Sequence, residues 1–173
     1  MNNLLSSLAF ALCLLFFGCK DNLPSSVDLG ETEVHLNGCE EKYPPYFRYF
    51  KVYNLMEMTF AYRKDHEFRT LGFNWLPLES GNYGLHTDTI PHKDAAFTGF
   101  GHIVESDLEG YTYKLLNPSE GYCHIESLDT LKRIVKGRFR AEFKRTSKNG
   151  WKDLDLPETL LFEGVFHEHY TVW

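Results

Sequence analysis

Little in this chain points to a reaction. Ser80, Ser106 and Ser127 stand in no G-x-S-x-G elbow, so nucleophilic hydrolysis has no motif behind it. A basic excess is missing: 18 Lys and Arg against 24 Asp and Glu give a formal net charge of −6, the wrong sign for a nucleic-acid partner. No segment shows sustained helical periodicity with caps, which argues against a helical bundle. There is no internal repeat, coiled coil or low-complexity stretch. Cysteine is scarce, four in 173 residues, and two of the four, Cys13 and Cys19, fall near the N-terminus. No motif calls for a cofactor.

Long apolar runs are also absent. The uncharged run Leu4–Phe17 covers 14 residues. As a helix it would reach about 21 Å, short of the ~30 Å hydrocarbon core of a bilayer, so it reads as the core of a signal peptide. Ala9-Phe10-Ala11 lies inside that run and offers no cleavage site beyond it. Cys13 follows the bulky Leu12, whereas Cys19 follows Gly18, which leaves room for a peptidase. The expectation is a lipoprotein signal peptide over 1–18 and acylation at Cys19, with an ordinary secreted protein as the alternative. The n-region Met1-Asn2-Asn3 departs from the usual pattern in having only its α-amino charge.

Residues 19–30 then form a lipidated tether, and 31–173 a single β-domain. Each buried CH₂ contributes ~0.8 kcal/mol, so several acyl chains hold the protein to the membrane. Lys20-Asp21 resembles the charged export tag of Bacteroidota surface lipoproteins. The expected location is therefore the outer membrane, with either the cell surface or the periplasmic face open.

What is abundant is aromatic: 16% Phe, Trp and Tyr. Phe and Tyr suit half-buried strands. Met56, Met58, Phe60 and Tyr62 alternate with Glu57, Thr59, Ala61 and Arg63, the period of a strand with one buried face. Lys64-Asp65 marks a hairpin turn, and 66–75 returns. Further strands are expected over 31–36, 83–86, 95–104, 111–116, 122–128, 134–144 and 159–170, with turn signals at Gly81-Asn82, Gly99, Gly101, Gly110 and Gly121. In 134–144, Val135, Gly137, Phe139, Ala141 and Phe143 share one face, and Lys136, Arg138, Arg140, Glu142 and Lys144 the other. In 159–170, Leu160, Phe162, Gly164 and Phe166 face inward. Pro44-Pro45 forces an extended or turn conformation before it, and 145–157 reads as a polar loop. The expected fold is all-β, an antiparallel β-sandwich or a lipocalin-like open barrel.

Gly81-Asn82-Tyr83, Ala95-Ala96-Phe97, Tyr111-Thr112-Tyr113, Gly121-Tyr122-Cys123-His124-Ile125, Asp129 and Ile134-Val135-Lys136-Gly137-Arg138-Phe139 follow one another across roughly 71–169. In this order they resemble the G-x-Y … I-x-G-x-F β-domain of Bacteroidota envelope lipoproteins of unknown function. The charged loop around 148–155 is an insertion relative to that pattern. The resemblance implies an envelope β-domain and supplies no catalytic residues.

Four groups of residues are candidates for function or covalent structure. Cys39 and Cys123 are an even pair in an oxidising compartment. A bridge between them would close a loop of about 85 residues and stabilise by roughly 4–5 kcal/mol on the chain-entropy model, against the alternative of two buried thiols. His167 and His169, at i and i+2 of a strand, could share a metal ion with a third ligand from His86, His92, His102 or His124, the basis for a metal-dependent hydrolase. The strand's register turns both to solvent, which favours plain surface histidines. Lys136, Arg138, Arg140 and Lys144 form a cationic stripe, suited to an anionic partner or, more simply, to carboxylates such as Glu163 on the next strand. The run Tyr43, Tyr46, Phe47, Tyr49, Phe50 and Tyr53 either stacks on sugars or covers one end of the sheet. The functional expectation is a non-enzymatic binding or accessory protein, anchored in the membrane through Cys19, with a glycan or envelope protein as partner and no nucleic acid. A lipocalin-like carrier with an apolar cavity of several hundred Å³ is the alternative.

Overall fold

Alternation of large apolar and polar residues runs through most of the described chain, and each such stretch is a strand. The computed structural model describes residues 23–64, 67–87, 95–104, 108–109, 111–148 and 156–173. Its strands are β1 (Glu31–Leu36), β2 (Cys39–Glu41), β3 (Pro45–Phe50), β4 (Leu55–Lys64), β5 (Glu67–Pro77), β6 (Gly81–His86), β7 (Ala95–Val104), β8 (Leu108–Glu109), β9 (Tyr111–Leu116), β10 (Tyr122–Asp129), β11 (Ile134–Lys148), β12 (Thr159–His169) and β13 (Thr171–Val172). No helix occurs among the described residues.

All the strands join one sheet in the order β13-β3-β4-β5-β7-β6-β10-β11-β12-β1-β2, with β8 on β7 and β9 on β11. The all-β expectation is met, and the architecture is a single curled, open half-barrel. Two short pairs depart from the antiparallel pattern. Gly84–His86 runs parallel to Ala95–Phe97, and β13 runs parallel to β3.

The curl shows in which rings meet. Phe47 on β3 and Phe166 on β12 lie near opposite ends of the strand order, yet their ring centroids are 5.3 Å apart. Phe60 meets Phe139 at 4.7 Å, and Phe73 meets Phe139 at 5.1 Å, again across the interior. The chain ties the same seam. β12 passes through Tyr170 alone into β13, which pairs with β3 at the other end of the order. β2 leads through 42–44 into β3, and Arg69 on β5 reaches Glu41 on β2 at 3.2 Å. Arg69 also bonds Glu67 at 2.6 Å. Burial works against its charged form, but the hydrogen bond to Glu67 and the nearby Tyr43 and Glu67 oxygens outweigh it and hold the guanidinium firmly protonated. Burial first, then the nearby Glu41 charge, pushes the Tyr43 phenol above its ordinary range.

β11 is the spine. One edge pairs with β12 from Ile134 to Lys144; the other takes β10 along its first half and β9 along its second. It therefore runs on to Lys148, and the polar connection begins later than the expected 145. Two inward glycines on this spine and its neighbour have a packing reason. Gly137 pairs with Phe166 and Gly164 with Phe139, so each phenylalanine ring occupies the space its partner glycine leaves. A Cβ on Gly137 would lie 2.7 Å from the Phe166 ring and closer still to the His124 carbonyl oxygen; one on Gly164 would lie 2.9 Å from the Glu33 carbonyl oxygen, against the Phe139 ring.

The segment expected to be a cover over the sheet, 43–53, instead contributes β3. Pro45 is tolerated because it is the first residue of that strand, where its missing N–H breaks little of the ladder. Alternation then divides the aromatic run: Phe47 is buried, Tyr49 packs against the core, and Tyr46 lies exposed.

Candidate binding groove

The outward positions of β3, β4, β5 and β7 do not carry the charged ladder usual on a solvated face. On β4 they are Leu55, Glu57 and Thr59, alternating with the fully buried Met56, Met58 and Phe60. On β7 they include Phe97 and Gly99, either side of the buried Thr98. On β5 the alternation is interrupted. Met56 pairs with Leu76 and Met58 with Phe73, so Asn74 and Trp75 together stand opposite Glu57 in a bulge. Both are partly exposed, between the buried Phe73 and Leu76.

Trp75 adopts φ 63°, the left-handed region. For a bulky side chain this conformation is a genuine outlier, and it costs of order 1–3 kcal/mol. Glycine takes it without penalty. A tryptophan at this bulge is thus held there at some expense by its surroundings, notably by its ring contact with Phe97 at 5.1 Å.

Next to the bulge, Gly72 on β5 pairs with Gly99 on β7. Both face outward, and a Cβ added to Gly99 would meet no atom within 4 Å. The pair leaves a floor without side chains. Two adjoining hollows open over this face. One, of about 490 Å³, is lined by Phe50, Tyr53, Leu55, Glu57, Trp75 and Phe97 among others. The other, of about 540 Å³, runs over Gly72 and Gly99 and is bounded by Arg48, Thr59 and Thr70. Glu57 and Asn74 line both.

The polar centre of the groove is an ion pair. Arg48 Nη2 donates to Glu57 Oε2 at 2.6 Å, across the β3–β4 register. The guanidinium also lies over the rings of Tyr46 at 5.1 Å, Phe50 at 5.5 Å and Trp173 at 5.8 Å. Its Nε atom is buried and has no protein partner. Exposed large apolar side chains gather at the same corner: Tyr46, Val52, Tyr53, Val172 and Trp173 all belong to β3, the β3–β4 turn or the C-terminal strand beside it.

The residues singled out from sequence fare differently. Cys19 and His92 lie outside the described residues. The Cys39–Cys123 bridge is not formed, because Cys123 carries a free, buried thiol. In the sheet, β11, β12 and β1 separate β10 from β2. Burial raises the Cys123 thiol well above its ordinary range, so it is an inert core residue.

His167 and His169 both sit on the outer side of β12, as their register implied. His167 pairs with Glu31 and Lys136, and the exposed His169 with Ile134. Among the described residues no group of three His, Cys, Asp or Glu side chains could hold a metal ion. His124 lies on β10 opposite Arg138, His86 at the end of β6 near Phe97, and His102 on β7 opposite Arg69. Neither His86 nor His124 forms a metal-binding group with the β12 pair.

The cationic stripe is matched by carboxylates. Arg138 Nε donates to Glu126 at 2.8 Å and Lys136 stands 3.7 Å from the same residue. Arg140 pairs with Glu163, and Lys144 with Glu158 at 3.8 Å. Burial tends to raise the Glu126 carboxyl, but the Arg138 hydrogen bond and the charges of Arg138 and Lys136 hold it below its ordinary range. The stripe is a neutralised outer face.

Sequence reasoning flagged Tyr46, Phe50 and Tyr53 and missed the rest of the groove. The alternation that buries Met56 and Met58 already turns Glu57 and Thr59 outward. Trp75, Asn74 and the Gly72–Gly99 floor carried no local signal, because they depend on a bulge and on which strands pair. Compared with protein-family models, curated proteins and solved structures, the chain matches none.

Proposed function

We propose that this is a lipid-anchored cell-envelope protein with a non-enzymatic binding role, held at the outer membrane through Cys19 and engaging its partner through the outer groove. The groove carries the reading. It combines an unfilled floor, exposed aromatic faces and a few convergent polar groups, the composition of a recognition site. Its two charged groups are bonded to each other rather than arranged as nucleophile and base. The interior-carrier alternative lacks the same support, since Phe60, Phe73, Phe139 and Phe166 fill the described core.

Metabolic labelling with an alkynyl palmitate tests the anchor. The expected outcome is label on the wild-type chain and none on Cys19→Ala. An unlabelled wild-type chain removes the lipid anchor. Protease treatment of intact cells, with a periplasmic control protein that stays protected, then decides between the cell surface and the periplasm.

A further inference from the structure

The groove's chemistry narrows its ligand, on the reading that it is the binding surface. Its walls include the aromatic side chains of Phe50, Trp75 and Phe97, from β3, β5 and β7. Such faces stack on the C–H surface of a flat ligand. Between them, Glu57 offers an acceptor, the Arg48 guanidinium offers donors, and Asn74 offers both. Donors and acceptors at this spacing suit a ligand carrying many hydroxyls.

Charge selects further. Arg48 and Glu57 cancel, so the groove centre is neutral on a chain of net charge −6. An anionic ligand would meet no spare cation there. A purely apolar ligand or a lipid surface would have to strip water from an ion pair without replacing its bonds. A ligand both flat-faced and hydroxylated satisfies both halves of the site. The two hollows, about 490 and 540 Å³, adjoin at Glu57 and Asn74, the second lying over the glycine floor, which fits a chain of units better than one.

We propose that the groove binds a neutral oligosaccharide or polysaccharide, its sugar rings stacked on Trp75, Phe97 and Phe50 and its hydroxyls bonded to Arg48, Glu57 and Asn74. The strained bulge serves this role: it turns Trp75 outward where ordinary alternation would not place it.

The test is affinity electrophoresis of the purified full chain in a sugar-free detergent. Native gels are cast with a soluble mixed-linkage β-glucan, an α-glucan, a xyloglucan, a galactomannan or, as the anionic probe, alginate. Retardation to half the free mobility or less is expected with at least one neutral polysaccharide. Trp75→Ala should lose it, Trp75→Phe should retain part of it, and Leu131→Ala, in the exposed β10–β11 turn, should keep it. Gly99→Trp should also lose it while its thermal midpoint stays near that of the wild type, which separates a blocked floor from a damaged fold.

Mobility unchanged by every neutral polysaccharide overturns the proposal. So does retardation by alginate alone, or retardation that survives both Trp75→Ala and Gly99→Trp. Binding instead to phospholipid vesicles in a Trp75-dependent manner overturns it in favour of a membrane surface. A palmitate-labelled chain that ignores all the polysaccharides keeps the anchored-protein reading and loses only this ligand. A retarded chain without label keeps the ligand and loses the anchor.

Discussion

On the β10–β11–β12 side of the sheet, outward positions carry cations, each facing a carboxylate on a neighbouring element: Arg138 and Lys136 with Glu126, Arg140 with Glu163, Lys144 with Glu158. On the β3–β4–β5–β7 side, the same outward positions carry aromatic rings, two paired glycines and one ion pair. The inward faces do not differ in this way; phenylalanines from both sides meet in one core. Inward positions answer to burial and packing alone, whereas outward positions are free to be tuned. One side is closed off electrostatically, and the other carries the proposed groove.

Five substitutions sharpen or break that contrast. The largest effects should fall on the shared interior. Phe60→Ala on one side and Phe139→Ala on the other should each cost about 3–5 kcal/mol in denaturant unfolding, because both rings are fully buried. A loss confined to one of them would mean that the two sides do not share a core. Gly137→Ala should follow, at about 2–3 kcal/mol, since its new methyl would press on the Phe166 ring and the His124 backbone.

Glu126→Gln should be milder, about 0.5–1 kcal/mol at neutral pH, because the pair with Arg138 is partly solvated. Its pH dependence has a definite sign. The folded carboxyl is held below its unfolded value of about 4.3, so its contribution is full above that pH and fades as pH falls through the folded value. The gap between the thermal midpoints of wild type and variant should therefore narrow below about pH 4.3 and close as pH falls through the folded value. A gap that stays constant down to pH 3 would show that the charge pair is not its source.

The smallest effect should be Gly99→Ala in the groove floor, and of opposite sign to Gly137→Ala. With open space around the new Cβ and relief of the entropy of a strand glycine, stability should rise by up to about 1 kcal/mol. Destabilisation there would mean that the floor is packed, and the groove would disappear with it.

How far the chain could be read in advance follows the same division. Strands with one buried face were legible because their signal has a period of two residues and sits within a few residues of sequence. The inward set of β11 and β12 was readable down to Gly137 and Gly164, though not the fit of Phe166 and Phe139 over those glycines. β3 hid behind two prolines, and β2, β8 and β13 were too short to show a period. The stripe on β11 was legible as a stripe. Its partners Glu126 and Glu158 became visible only with the register, and Glu163 was the one anticipated.

Local composition and alternation determined that this protein is all-β, which residues face its core, and that two histidines of its last long strand face outward. Those properties depend on neighbours along the chain, whose geometry a strand imposes by itself. Only the tertiary structure decided that Cys123 stays unbridged, that one sheet curls so that Phe47 reaches Phe166, and that Trp75, Phe97 and the Gly72–Gly99 floor come together beside Arg48 and Glu57. Each of these depends on strand pairing between residues far apart in the chain, and pairing is chosen by the closure of the whole core.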